Sequence, residues 1–411
     1  MQPEISKHRV LIFVCSVMFL DAVGFGLIMP IMPDLIGELS SLSNSQAATV
    51  AGYLLFTFAA MQFLCAPILG GLSDRYGRRP VLLIALLGFA LDYFVMAAAP
   101  SLAWLFIARM ISGLCGATFA AANACLVDIS DKGERAKFFG FGGAAVGAGF
   151  VFGPMIGGLL GEYGTRLPFI AAGILSLGAC LYGYLTFPET LQSENRRAFS
   201  LKRANPIGSL ISVARFPAVF MILMATFCIQ LANHSYSSIW SFYVTEVTAW
   251  GPFLIGVSIS FYGVLMVGVQ GGLVGPVVKR TGEVRAVYFA AVIGAAAFIM
   301  LAFADNGGKI YAGIFVGAMS GFVMPALQSL MTSHTEEDAQ GELQGAITSL
   351  YSLSSVISPL IMAKIFTAWT DETGTYLPGA PFVLATLLVL CSILTFSLGV
   401  RKLRPTNRQR A

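Results

Sequence analysis

Long apolar runs separated by short polar segments fill the 411-residue chain. Twelve runs approach the roughly 20 residues that a helix needs to cross the hydrocarbon core. They cover 10–33, 46–70, 79–98, 102–127, 137–160, 167–187, 216–245, 252–277, 284–304, 309–332, 343–368 and 380–400. The pattern predicts an all-α membrane protein with twelve transmembrane helices. The longest polar segment, Glu189 to Arg215, separates six spans from six. It sets an expected division into an N-terminal half (1–188), a cytoplasmic linker (189–215) and a C-terminal half (216–411). A weak internal repeat fits two pseudo-symmetric halves. "GGLSDRYGRRPVLL" joins spans two and three, and "GPVVKRTGEVRAVYF" joins spans eight and nine. Paired six-helix halves suit a transporter whose site lies between them near the midplane.

Composition agrees. Apolar residues make up 56% of the chain and charged residues 11%, against about 25% charged in soluble proteins. The net charge of +4 is spread out, which argues against a nucleic-acid partner. All but four of the 25 Lys and Arg fall in the N-terminus, the even-numbered loops, the linker and the C-terminal tail; the four are Arg109, Arg166, Lys309 and Lys364. Positive charge gathers on the cytoplasmic side, so both termini and the linker are expected there. The seven cysteines sit inside apolar runs with no CxxC and no Cys/His cluster, so no metal site, disulfide framework or cofactor is expected. No nucleophile–base order or phosphate loop stands out, and a catalytic role is not expected.

Several polar residues interrupt the spans. Asp21 lies in the middle of the first, in "MFLDAVGFGLIMP". An intramembrane carboxylate costs about 2.5–3.5 kcal/mol on insertion scales and is a functional-site hypothesis by default. Asp92 falls near mid-depth of span three, and Arg109 in "LFIARMISGLCGA" of span four. Together they form a candidate proton-coupling switch. Gly70, Asp74, Arg75, Gly77, Arg78 and Arg79 form an ordered loop between spans two and three. Arg78 can pair with Asp128 at the end of span four, and Asp74 can face a helix N-terminus such as the start of span eleven. The cluster reads as a conformational latch, or as a topology signal alone. Gly149, Gly153, Pro154, Gly157 and Gly158 in span five, "GAGFVFGPMIGG", read as an antiporter-type motif or as a packing seam.

The loop fits G-x3-D-R-x-G-x-R-R and resembles the signature of the major facilitator superfamily. "LDAVGFGLIMPIMP", "SDRYGRRPVLL", "LDYF" at 91–94, "ISGLCGAT" and "GELQG" at 341–345 further resemble the tetracycline/proton antiporters of the twelve-span drug-efflux group. The resemblance covers essentially the whole chain, most strongly its first half. It implies the major facilitator fold and proton-driven export across a bacterial inner membrane. It also implies charged functional residues at Asp21, Asp74, Arg78, Asp92, Arg109 and Asp128.

The second half departs from that family. Through "FYGVLMVGVQ" the eighth-span histidine of the tetracycline antiporters falls at Met266, and through "VIGAAAFIMLAF" the ninth-span aspartate falls at Gly294. Span seven instead carries "QLANHSYSSIW", where Gln230, Asn233, His234, Ser237 and Ser241 share one helical face. His234 is either a relocated titratable group or a histidine bonded to a backbone carbonyl or serine. Asn123, Gln230, Asn233, His234, Tyr236, Ser237, Trp240, Tyr262, Gln270, Gln328 and Tyr351 are candidate cavity residues, because drug-like ligands suit apolar pockets with a few polar groups. The expected function is proton-coupled export of small, amphipathic, drug-like molecules by alternating access. The alternative is a facilitator or proton symporter for a nutrient or metabolite. The expected partners are the substrate, protons and the lipid bilayer, with the protein a monomer.

Overall fold

The computed structural model describes residues 7–116, 118–131, 133–192, 194, 196, 217–336, 339–371 and 375–403. Within them, twelve helices are long and apolar enough to cross a membrane. Spans one to six are Lys7–Leu39, Asn44–Tyr76, Arg78–Ala98, Leu102–Ile129, Lys137–Tyr163 and Leu167–Thr186. Spans seven to twelve are Ala218–Thr248, Pro252–Gly272, Glu283–Ala302, Gly307–Ser333, Gln340–Thr370 and Ala380–Leu403. Most of the expected linker, and the tail beyond Leu403, lie outside the described residues.

Each expected span is present, but several differ in detail. Span one continues to Leu39 through a 3₁₀ turn at Met29–Ile31, where Pro30 and Pro33 remove two backbone donors. Span two runs on to Tyr76, and a capping box starts it: Ser43 Oγ accepts from Gln46 N while the Gln46 side chain accepts from Ser43 N. Spans four and ten, in corresponding places of the two halves, are interrupted. Span four leaves the helix at Gly116, and span ten breaks between Met319 and Val323. Gln62 Nε2 donates to the freed Gly116 carbonyl at 2.8 Å. Span eight ends at Gly272, and a separate helix, Val274–Thr281, follows where one continuous span was expected.

The described residues fall into two compact units. One lies within Met1–Ala204 plus Trp250–Gly263, the other within Asn205–Ala249 plus Val264–Ala411. The first half of span eight is therefore counted with the first unit. The first unit's core joins Phe13 and Val17 of span one, Leu82 and Leu86 of span three, Ala122 and Leu126 of span four, and Phe187 after span six. The second unit's core joins Ile222 and Leu223 of span seven, Val287 of span nine, Leu327 of span ten, Leu343 of span eleven and Phe396 of span twelve. The repeat also shows in the backbone. Gly77 (φ +108°) and Gly282 (φ +78°) each end one helix and begin the next, a conformation that L side chains rarely adopt.

Candidate functional site

Span three carries Asp92 on its inward face, where the carboxylate is 0% exposed. Arg109, one helix along and 8% exposed, reaches it with Nη2 donating to Asp92 Oδ2 at 2.5 Å. The same nitrogen lies 2.9 Å from Met96 Sδ, and the guanidinium sits 5.9 Å from the Phe58 ring centre. A buried charge needs a partner, and here each charge serves the other. The pairing is incomplete: Asp92 Oδ1 and Arg109 Nε are buried with no hydrogen-bond partner. Tyr93, next to Asp92, lies within electrostatic reach of Asp92, Asp21 and Arg109. Its hydroxyl packs against Gly24, where a Cβ would collide with it. Asp21, one turn earlier, is half-buried. The expected trio thus collects around Tyr93, a residue that sequence reasoning did not single out.

The glycines of span five hold Asp21's turn. A Cβ at Gly149 would lie 2.6 Å from Phe19 O and Ala22 Cβ, and one at Gly153 would lie 2.8 Å from Val23 O. One at Gly157 would lie 2.6 Å from Leu27 Cα. These three glycines, spaced by four, press span five onto the backbone of span one from Phe19 to Leu27. Pro154 also packs its ring on span one, where a Cβ on Gly26 would lie 2.6 Å from Pro154 Cδ, while Gly158 faces span eight in the same unit. A Cβ at Gly158 would lie 3.0 Å from Phe253 Cα, and Gly256 packs on the Pro154 carbonyl. Near the proline, Ser260 Oγ donates to Val151 O at 2.6 Å.

The loop between spans two and three centres on Arg78. Its Nη1 donates to Asp74 Oδ1 at 2.6 Å and to Ser73 Oγ at 3.1 Å, and its Nε donates to Asp128 Oδ2 at 3.2 Å. The Arg78–Asp128 pair expected from sequence is present. Two residues that the sequence did not single out complete it. Glu189 accepts from the backbone N–H groups of Arg78 and Arg79 at 2.8 and 3.2 Å, and Thr190 Oγ1 donates to Asp128 Oδ2 at 3.3 Å. Arg79 Nη2 donates to Tyr184 O at 2.6 Å. Arg75 stands apart, exposed, with its guanidinium 5.0 Å from the Tyr76 ring centre. Gly70 lies inside span two with nothing within 4 Å of a Cβ built on it. The expected loop is shorter than the sequence suggested: Gly70, Asp74 and Arg75 belong to the last turns of span two, and the turn itself falls at Gly77.

In the second unit, the His234 ring packs edge-on to Tyr351, centroids 5.5 Å apart, and Tyr351 is 53% exposed. His234 Nδ1 is 3.5 Å from Ser237 Oγ, while Nε2 is buried with no partner. The Ser237 hydroxyl donates mainly to the His234 carbonyl, at 3.1 Å. Gln230 is buried, Asn233 exposed, and Asn123 and Tyr262 half-buried. Three further candidates differ in their surroundings. Trp240 is 3% exposed and packs with Tyr236, Tyr243 and Phe382, because a large apolar ring gains most from full burial. Gln270 is exposed near the last turn of span eight. Gln328 is exposed and donates to Gln344 at 3.4 Å. Met266 and Gly294 both lie by the break in span ten. Met266 Sδ is 2.8 Å from a Cβ built on Gly321, and Ser320 Oγ is 3.5 Å from one built on Gly294.

The chain is similar to known proteins. The family described as Major Facilitator Superfamily matches residues 14–359. The tetracycline resistance protein, class C, of Escherichia coli is 38% identical over 362 residues, covering 88% of this chain and 91% of that one. The class H tetracycline resistance protein of Pasteurella multocida is 33% identical over 398 residues, covering 97% and 98%. The crystal structure of the human organic anion transporter MFSD10 (TETRAN) superposes with a TM-score of 0.70 at 22% identity, covering 96% of this chain and all of that one. Twelve apolar helices and these bacterial relatives make the protein a multi-pass inner-membrane transporter. The chain belongs to the Major Facilitator Superfamily.

Proposed function

We propose that the protein exports small, amphipathic, drug-like molecules in exchange for protons, with Asp21 and Asp92 carrying the coupling and Arg109 as counter-charge. The carrying observation is the unpartnered Oδ1 of the fully buried Asp92. A carboxylate with one oxygen held by Arg109 and one free can take a proton without losing its place. The class C and class H relatives are named for resistance to tetracycline, which supports drug export. Met266 and Gly294 replace the titratable pair that the resemblance assigns to those positions, so tetracycline is one probe among several. His234 takes the role of a titratable group in the second unit, with Ser237 and Tyr351 beside its ring. The cluster of Asp74, Arg78 and Asp128 steadies one conformation of the alternating-access cycle. Both termini face the cytoplasm, and the unit of transport is the monomer.

A membrane potential of about 100 mV supplies about 2.3 kcal/mol per proton. At about 1.4 kcal/mol per tenfold, one proton sustains a substrate gradient of roughly 50-fold. The test is uptake of fluorescent drugs, tetracycline included, into proteoliposomes with an imposed pH gradient. Asp21→Asn and Asp92→Asn should abolish gradient-driven accumulation while leaving gradient-free exchange. His234→Ala should weaken coupling and change its pH dependence. Transport indifferent to the gradient in the unaltered protein would overturn the proposal.

A further inference from the structure

Span three starts at Arg78 straight after Gly77, so its first backbone N–H groups need acceptors. The N-cap position is Gly77, which has no side chain to accept from them. The acceptor comes from more than a hundred residues away. Glu189, three residues past the end of span six, takes the N–H of Arg78 on Oε1 at 2.8 Å and that of Arg79 on Oε2 at 3.2 Å. Its own turn is fixed by Leu191 N donating to Oε1 at 3.0 Å. The carboxylate fills the space that a Cβ on Gly77 would need, 2.6 Å from Glu189 Cδ. Its neighbour Thr190 is buried and donates to Asp128 Oδ2 at 3.3 Å, the oxygen that receives Arg78 Nε at 3.2 Å. Arg78 is therefore held at both ends by one dipeptide: Glu189 grips its backbone, and Thr190 orients the carboxylate that grips its guanidinium.

We propose that Glu189 and Thr190 are positioning residues of the latch, tying its closed geometry to the head of the central linker. This rests on the latch role proposed above. The carboxylate suits the place because a negative charge at a helix N-terminus meets both the free donors and the helix dipole. Glutamine at 189 would keep the shape but present an amide N–H₂ to one of two backbone donors. Aspartate would keep the charge with a shorter reach. The order expected at this site is therefore glutamate, then aspartate, then glutamine.

Cys125 gives a readout that does not depend on transport. Its thiol is buried beneath the cluster and lies 3.6 Å from Thr190 Oγ1. In the purified full-length protein, maleimide labelling of Cys125, resolved from the other six cysteines by peptide mass analysis, reports opening of the cluster. Glu189→Gln and Thr190→Val should speed labelling roughly tenfold, the size expected for one lost capping interaction, with Glu189→Asp between them and the parent. Asp128→Asn should do the same, and Glu189→Gln with Asp128→Asn should label no faster than the faster single variant. Drug transport in proteoliposomes should show the same non-additivity. Labelling at the parental rate in Glu189→Gln, or labelling effects that multiply in the double variant, would overturn the inference. If labelling follows the expected order while transport is normal in every variant, the positioning role holds and the latch reading of the cluster fails.

Discussion

Adding a single methyl group to span five tests how Asp21 is held. At Gly149, Gly153 and Gly157 an added Cβ would lie within 2.8 Å of its nearest neighbours, which include backbone of span one. Carbon contacts are optimal at about 3.5–4.0 Å, so the two helices must part by about 1 Å. Backbone cannot swing aside as a side chain does. Overpacking of this kind costs about 1–3 kcal/mol. Alanine returns about 0.8–1.0 kcal/mol of helix propensity over glycine, which leaves roughly 0–2 kcal/mol of net destabilisation per site. Gly143, on the same helix, has nothing within 4 Å of its Cβ position, so Gly143→Ala keeps the propensity gain without the clash. The four variants should therefore separate in thermal unfolding of detergent-purified protein. Gly143→Ala should match or exceed the parent, and the other three should unfold at lower temperature. Gly149→Ala should also lower the rate of proton-driven transport, because it moves the turn from Phe19 to Val23 that carries Asp21. Equal stability of Gly157→Ala and Gly143→Ala would refute the seam.

Three further outcomes are expected. Arg78→Ala and Asp128→Asn should each cut transport severely with the protein still in the membrane, and the exchange Arg78→Asp with Asp128→Arg should recover part of it; normal transport in both single variants would remove the latch. Reporters fused near Arg197 and near Ser40 should read cytoplasmic and external respectively, and the reverse would overturn the charge-based orientation. Arg109→Ala should lower the amount of folded protein, since stranding one partner of a buried pair costs about 3–5 kcal/mol. Adding Asp92→Asn should restore the amount but not the coupling, whereas equal amounts of all three proteins would mean that the two charges are not buried together.

The twelve helices were legible because the bilayer demands long apolar runs, and composition alone reports these. The breaks in spans four and ten were not, because the residues there, such as Gly116 and Ser320–Phe322, leave the apolar pattern intact. Arg78 and Asp128 were legible as opposite charges at ends of neighbouring spans. Glu189 was not, because nothing local marks a carboxylate that serves a helix 110 residues upstream. Trp240 shows the opposite failure. Helical spacing put it beside polar residues of span seven, but spacing cannot say how far a large ring turns into the aromatic core. The glycines of span five were legible as a motif, while their division between Gly149, Gly153 and Gly157 on span one and Gly158 on Phe253 needed coordinates.

Asp21 and Asp92 are unlike in a way that bears on coupling. Asp92 is enclosed and shares its charge with Arg109. Neutralising it leaves a buried guanidinium with Met96 Sδ and the Phe58 ring as its remaining neighbours. That state is costly, so a proton on Asp92 favours any rearrangement that brings Arg109 another negative charge. Asp21 is half-buried and lies one turn before Gly24, on which the Tyr93 hydroxyl packs. On the proposed function the two carboxylates therefore act in sequence. A proton on Asp92 weakens its hold on Arg109, while Asp21, the other carboxylate of the proposed coupling pair, keeps its charge. The glycine seam matters to this step. By fixing span one against span five around Phe19–Leu27, it holds the turn that carries Asp21 while the charge balance of Asp92 and Arg109 changes.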